Sequence, residues 1–390
     1  MKKHLVFIGG GHSHAIALKE WGMNPRPNVS ITLISDRVHT PYSGMLPGYI
    51  AGFYRFEEAH IDLDRLTNFA RAEFLADKAI ALDLENNRVI CANFPPVEFD
   101  VLSIDIGSTP AQESVPGATE YAIPAKPVPQ LLERWNGILE KVRRSPQKPR
   151  RFAVVGGGAG GVELMLAVDA CLRRLLDPAD FQNLERHLFH RGNSLVTQKN
   201  QYTRKTLKNV LEKRGINLHL GETVTALKQQ ENGRIQVSCD SGLRVECDEV
   251  FWVTHAAGAD WISASGLATD AAGFIQVNEY LQSLNRDDIF AAGDVATMVK
   301  NPRPKAGVFA VRQGKPLYKN LIRRLEGKPL VPYKPQPRFL TLLSTGTGKA
   351  IAARGGLGVG PSRLLWWLKD WIDRRFVQQF NRLPESGDRG

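Results

Sequence analysis

Arg151-Phe152-Ala153-Val154-Val155-Gly156-Gly157-Gly158-Ala159-Gly160-Gly161-Val162-Glu163 decides the fold of this chain. An apolar strand over Arg151 to Val155 runs into glycines at 156, 158 and 161, and Leu164 to Leu176 continues with helical periodicity. Strand, glycine turn and helix form the dinucleotide-binding arrangement. The first glycine permits the tight turn. The second lets backbone approach a pyrophosphate, and the third lets helix pack on strand. Free N–H groups at the helix start, with the helix dipole, then face the anion.

A less regular copy opens the chain. Lys3 to Ile8 reads as a buried strand, Gly9-Gly10-Gly11-His12-Ser13-His14 as the turn, and Ala15 to Trp21 as the helix. His14 stands where a third small residue is usual. The next strand, Ser30 to Ile34, ends at Asp36, whose carboxylate can accept hydrogen bonds from a ribose hydroxyl. Two further strand ends carry glycine: Asp105-Ile106-Gly107-Ser108-Thr109 and Phe290-Ala291-Ala292-Gly293-Asp294. Two βαβ units this far apart imply an α/β chain with two separate dinucleotide sites.

The bulk properties agree with that reading. A chain of 390 residues has room for two or three domains with their own cores. Hydrophobic content of 43% and charged content of 23% are ordinary for a globular protein. No apolar stretch is long enough to predict a spanning helix. The short apolar run at the N-terminus stops at glycines and reads as a strand rather than a signal peptide, so the expected location is cytoplasmic. Cys91, Cys171, Cys239 and Cys247 show no C-x-x-C spacing and are expected to be reduced thiols. The nine histidines show no metal-ligand spacing, so no metal is expected.

The ordered set Gly9-x-Gly11, Ile106-Gly107-Ser108-Thr109, Gly156-x-Gly158-x-x-Gly161-x-Glu163, Thr254-His255-Ala256-Ala257-Gly258 and Ala292-Gly293-Asp294 resembles the pyridine nucleotide–disulfide oxidoreductase superfamily. That resemblance implies two Rossmann-like domains, the second inserted in the first: an FAD-binding domain over 1–120 and 276–338, an NAD(P)H-binding domain over 121–275, and a C-terminal segment over 339–390. It implies FAD contacts at Gly9, Gly10, Gly11, His14, Asp36, Gly107, Thr109, Gly293 and Asp294. NAD(P)H contacts fall at Gly156, Gly158, Gly161, Glu163, Arg191 and Gly258. Hydride would pass from NAD(P)H to the flavin, with Glu163 at the junction of the two rings.

The segment after the first unit, Thr40-Pro41-Tyr42-Ser43-Gly44-Met45-Leu46-Pro47-Gly48-Tyr49, holds no redox cysteine pair. This disfavours disulfide reduction and sulfide oxidation. What remains is similar to the type II NADH dehydrogenases, which reduce quinones, and within them to relatives fused to or associated with selenophosphate synthetase. The segments carrying the narrower likeness are Gly9 to His14, Thr40 to Gly52 and Pro304 to Gly314. The Ala-Gln pair at which quinone docks in that branch is replaced here by Gly307 and Val308, leaving Arg312 and Gln313 as polar candidates. Two function classes stay open: an NAD(P)H–quinone-type reductase, and a flavin-bearing regulatory module for a partner enzyme.

Charge is concentrated at the end. Residues 300–390 carry 19 Lys and Arg against 5 Asp and Glu, in a chain whose net charge is +11. Leu365, Leu368, Ile372, Phe376, Phe380 and Leu383 recur at helical spacing, with Trp366, Trp367 and Trp371 nearby. A basic, tryptophan-bearing amphipathic helix over 362–383 suits the inner face of a membrane; a helix closing the core or a homodimer interface is the other reading. No nucleic-acid motif accompanies the charge, so nucleic acid is not an expected partner. The strand Arg186 to His190 enters Arg191 with no carboxylate, whereas NADH-selective sites usually end it with Asp or Glu. Arg191 can pair with a 2′-phosphate, so NADPH is the favoured nicotinamide cofactor.

Overall fold

The computed structural model describes residues 2–110, 115–254 and 256–384; His255 of the Thr254–Gly258 motif lies outside them. Lys3–Ile8 forms the centre of a five-stranded parallel sheet in the order Ile289–Ala291, Val101–Ile104, Lys3–Ile8, Val29–Ile34, Glu73–Leu75. The central strand is flanked on one side by the next strand in sequence and on the other by a later one, which is the switch point where doubly wound sheets bind ligands. Leu5, Val6, Phe7 and Ile8 are buried because both faces of a parallel sheet are covered.

The second sheet repeats the plan, in the order Ile123–Pro124, Glu249–Trp252, Arg150–Val155, Leu184–His190, Asn217–Leu220, again parallel. The sheets are joined where Thr109–Pro110 pairs with Ala256–Ala257. Ile262, Leu267 and Ile275 already belong to the first core. The fold is thus α/β with two Rossmann-like sheets, the second carried inside the first.

Five helices frame the clefts: α1 (His12–Met23), α2 (Ala159–Leu175), α3 (Gln201–Lys213), α4 (Gly307–Leu325) and α5 (Arg363–Asn381). α1 and α4 approach closely; a Cβ at Gly314 would sit 2.5 Å from Cβ of Ile16. Three antiparallel strands, Thr341–Ser344, Ala350–Arg354 and Leu357–Ser362, lead into α5.

α5 buries only part of the face its spacing suggests: Phe380 and Leu383 are buried and Leu365 and Phe376 half-buried, but Leu368 and Ile372 are not. Trp366, Lys369, Asp373, Val377 and Phe380 point inward, while Leu364, Trp367, Leu368, Trp371 and Ile372 are exposed. The cause lies in what the helix meets. Trp366 packs against Phe53 and Tyr54, and Arg374 bonds Glu58 at 2.6 Å. Lys369 reaches the carbonyl oxygen of Gly44 at 2.6 Å and Asp373 at 2.6 Å. Polar groups of the first domain thus choose the inward face, and part of the apolar stripe is left outside. No helix among the described residues is long and apolar enough to cross a membrane.

Candidate functional site

The first cleft lies over the C-terminal end of the first sheet. It offers about 1090 Å³ of open space and is lined by Gly9, Gly10, Gly11, Asp36, Gly107 and Asp294, together with His12, Asp105 and Lys126. Gly9 adopts φ +87°, and a Cβ there would lie 2.5 Å from the Asp105 carbonyl oxygen, so only glycine fits this turn. Asp36 is exposed at the mouth beside Arg37. Asp294 is held by Lys126, whose ammonium donates to it at 2.6 Å and to the Ser108 hydroxyl at 2.9 Å.

Several residues take places the sequence does not indicate. The His14 ring turns inward: Nδ1 meets the Gly9 carbonyl oxygen at 2.6 Å and Nε2 the Ser103 hydroxyl at 2.8 Å, and burial lowers its pKa to about 3. Both nitrogens are satisfied inside the domain, so His14 packs the turn from beneath rather than lining the cleft. His12 does line it, with its Nε2 buried and unpartnered. Thr109 bonds the Ala257 carbonyl oxygen at the domain junction. Gln313 accepts from the Gly293 N–H at 2.7 Å, and Arg312 is exposed. Gly293 is pressed against the Asp105 carboxyl.

The second glycine turn is built more tightly. A Cβ at Gly161 would lie 1.8 Å from the Gly156 carbonyl oxygen, and at Gly157 2.5 Å from the His190 ring. Val196 donates to the Gly157 carbonyl oxygen at 2.8 Å, anchoring the loop that follows Leu184–His190 onto the turn. Gly158, by contrast, faces open space at the start of α2. Arg191 is exposed. Gly258 packs against Gly273, where a Cβ would meet its carbonyl oxygen at 1.9 Å, so its small size serves the junction between the sheets.

Glu163 joins the second turn to the C-terminal segment. Its carboxyl accepts from the Ser344 N–H at 2.7 Å, and burial pushes its pKa up to about 7, opposed by Lys369 and Lys199. Behind it lie Lys369 and Asp373, with Tyr42 bonded to Asp373. Burial raises the Asp373 and Tyr42 pKa values and lowers that of His12. The Tyr42 ring packs on Phe376 at 4.5 Å and His12 at 5.2 Å. Lys369 and Asp373 stand one helical turn apart, a pairing visible in the sequence once a buried face is granted. Asp105 is the charged residue that directly follows the buried strand Val101–Ile104.

The first cleft suits an adenine dinucleotide of the FAD type. A glycine cradle faces the α1 N-terminus, Asp36 lines the mouth of the cleft beyond the second strand, and His12 offers an unused donor or acceptor. The second turn suits a nicotinamide dinucleotide, with open space over Gly158.

Comparisons with known proteins agree. The chain is 27% identical over 373 residues to ferroptosis suppressor protein 1 of Xenopus tropicalis, covering 91% of this chain and 90% of the relative. Among solved structures, NDH2 of Plasmodium falciparum matches with a TM-score of 0.79 at 15% identity, over 99% of both chains. The sulfide:quinone oxidoreductase of Aquifex aeolicus matches with a TM-score of 0.78 at 19% identity, over 97% of this chain and 91% of that one. The model of the pyridine nucleotide-disulphide oxidoreductase family matches residues 3–314. The chain therefore belongs to the pyridine nucleotide-disulphide oxidoreductase family, flavoproteins for which FAD and NAD(P)H are typical.

Proposed function

We propose that this chain is an NAD(P)H–quinone-type reductase that works at a membrane surface. Gly9, Gly11, Asp36 and Asp294 would hold FAD, and Gly156, Gly158 and Gly161 the nicotinamide dinucleotide. Bound FAD would supply the ring that takes hydride and passes electrons on.

One observation carries the reading of the acceptor. Glu163, Lys369, Asp373 and Tyr42 gather where the second glycine turn, the cysteine-free Thr40–Tyr49 segment and α5 meet. Reducing a quinone carbonyl requires protons as well as electrons. A carboxyl titrating near 7 can give one, and the Lys369 ammonium can steady a developing oxyanion. A disulfide acceptor would need thiols there, and the four cysteines lie elsewhere: Cys91, Cys239 and Cys247 are buried, and Cys171 is half-buried on α2.

Leu364, Trp367, Leu368, Trp371 and Ile372 form an exposed stripe on α5, rimmed by exposed Arg363 and Arg375. The preceding strand adds Leu357, 77% exposed, and Val359. Tryptophan and arginine beside aliphatic side chains suit the boundary of an anionic bilayer, where quinones reside. The sulfide:quinone oxidoreductase of Aquifex aeolicus, which shares this fold, is likewise named for a quinone.

The test is steady-state NAD(P)H oxidation by purified protein with short-chain benzoquinones and naphthoquinones. Multiple turnovers well above the rate with oxygen alone are expected. Flavin that is reduced yet reoxidised no faster with any quinone would leave the partner-module reading standing.

A further inference from the structure

The N–H groups that a glycine-loop helix offers to a pyrophosphate are its first ones. In α1 two of these are already engaged. The Asp105 carboxyl accepts from the Ser13 N–H at 2.9 Å and from the His14 N–H at 3.4 Å. Asp105 is 2% exposed and lines the same cleft as Gly11 and Asp294.

The carboxyl has little room to step aside. Its oxygens lie 2.3 Å from where a Cβ at Gly11 would stand, and 2.2 Å from one at Gly293. Both neighbours are glycine, and both leave just enough space for the group as it sits. A diphosphate arriving on α1 therefore meets an acidic side chain on its own donors. Ionised, that side chain repels the phosphates and competes for the N–H groups. Neutral, it ceases to repel and can donate to a phosphate oxygen.

We propose that Asp105 makes FAD capture proton-linked: its carboxyl takes up one proton as the diphosphate seats on α1, so affinity for FAD falls as pH rises through neutrality. This rests on the FAD reading of the first cleft.

The surroundings favour protonation near neutral pH. Burial pushes the Asp105 pKa up to about 7, the Ser13 and His14 N–H groups pull it down, and Asp294 adds repulsion. The Asp294 charge is shared with Lys126. The His14 ring is turned to Gly9 and Ser103, and Gln313 is spent on the Gly293 N–H. His12, also on the cleft wall, is shifted by burial away from its charged form.

The experiment is FAD binding to the full, flavin-stripped chain from pH 5.5 to 8.5, read by flavin fluorescence. Isothermal titration in buffers of different ionisation enthalpy counts protons. For one linked proton the dissociation constant should rise about tenfold per pH unit above about 7. Binding by Asp105→Asn should be flat over that range and tighter than wild type at pH 8. Asp105→Ala serves the same purpose if circular dichroism shows the Asn variant unfolded. A flat wild-type curve, or an equal slope in the variants, overturns the linkage while the FAD assignment stands. Failure of wild type and both variants to bind FAD at any pH overturns both.

Discussion

The Glu163 carboxyl accepts a hydrogen bond from the Ser344 N–H at 2.7 Å, so the start of α2 and the C-terminal sheet are one mechanical unit. The motif that marks the nicotinamide turn therefore ends in a group that faces the segment leading to α5. A carboxyl at that joint has its pKa pushed up to about 7 by burial.

Replacing that group separates the two half-reactions. Glu163→Gln keeps an acceptor for the Ser344 N–H and removes the titrating proton. Flavin reduction by NAD(P)H should stay within severalfold of wild type, while quinone turnover slows by about 10²-fold, the lower range for a lost general acid. The wild-type acceptor rate should also fall as pH rises through about 7, and the variant should lose that inflection. Stopped-flow measurement of each half-reaction decides; slowed flavin reduction with unchanged reoxidation by quinone would assign Glu163 to the nicotinamide alone.

Gly158 faces open space at the start of α2, so a large side chain there costs the fold little and obstructs the approach to the turn. Gly158→Trp should retain FAD and thermal stability within a few degrees, yet show flavin bleaching by NAD(P)H reduced by at least about 10²-fold, the loss of roughly 3 kcal/mol of close contact. Anaerobic absorbance at the flavin band reads it. Unchanged bleaching would move the nicotinamide site elsewhere.

The folded chain holds protons that its unfolded form releases. Asp105 and Glu163 both titrate near 7 when folded, against about 4 in an open chain. Between about pH 4 and 7 the folded state binds more protons, so stability should fall as pH rises across that window and level off above it. Each group contributes a slope of at most about 1.4 kcal/mol per pH unit. Urea unfolding of the flavin-free chain at pH 5, 6, 7 and 8 measures this. The double variant Asp105→Asn, Glu163→Gln should flatten the curve.

The stripe on α5 can be removed without touching the buried face. Trp367→Gln with Trp371→Gln should weaken binding to vesicles containing anionic lipid by tenfold or more, because both side chains are over half exposed. Flavin reduction in detergent should not change. Vesicle co-sedimentation at low and high salt checks it, and undiminished binding would return the stripe to a protein interface.

Backbone chemistry was legible in the sequence, whereas the side-chain environment largely was not. Glycines at 9, 156 and 161 announce themselves because no other residue fits their contacts, and the strands around them are apolar runs. The segments Gly9–His14, Thr40–Gly52 and Pro304–Gly314 are scattered in the chain, yet His12, Thr40, Ser43 and Gly307 line one cleft. By contrast, the inward face of α5 is selected by Gly44, Phe53, Tyr54 and Glu58, which lie some three hundred residues upstream in the fold's first domain. Helical periodicity has no access to such partners. His14 misleads for a related reason: its place in the turn says cofactor, but Ser103 on a neighbouring strand captures its ring.

The choice between NADH and NADPH is the remaining point of chemistry. Leu184–His190 ends without a carboxylate, and the loop after it is anchored to the glycine turn through Val196 and Gly157. A pocket beside that loop is lined by Asn193, Ser194 and Gln201 and by Arg204, Lys205 and Lys208 of α3, with no acidic residue. The Arg204 Nε is buried without a partner. Arg191 is exposed just past the strand end, on the same loop as Asn193 and Ser194. A 2′-phosphate brings two negative charges to this basic wall, whereas the NADH hydroxyl brings none. NADPH should therefore bind more tightly than NADH, by about tenfold or more, and the difference should shrink as salt is raised. Arg191→Ala and Arg204→Ala should each weaken NADPH while leaving NADH nearly unchanged. Anaerobic flavin reduction titrated with each nucleotide makes the measurement. A wild-type preference for NADH that neither substitution alters would show that the wall faces solvent, and that ribose selection lies on another loop.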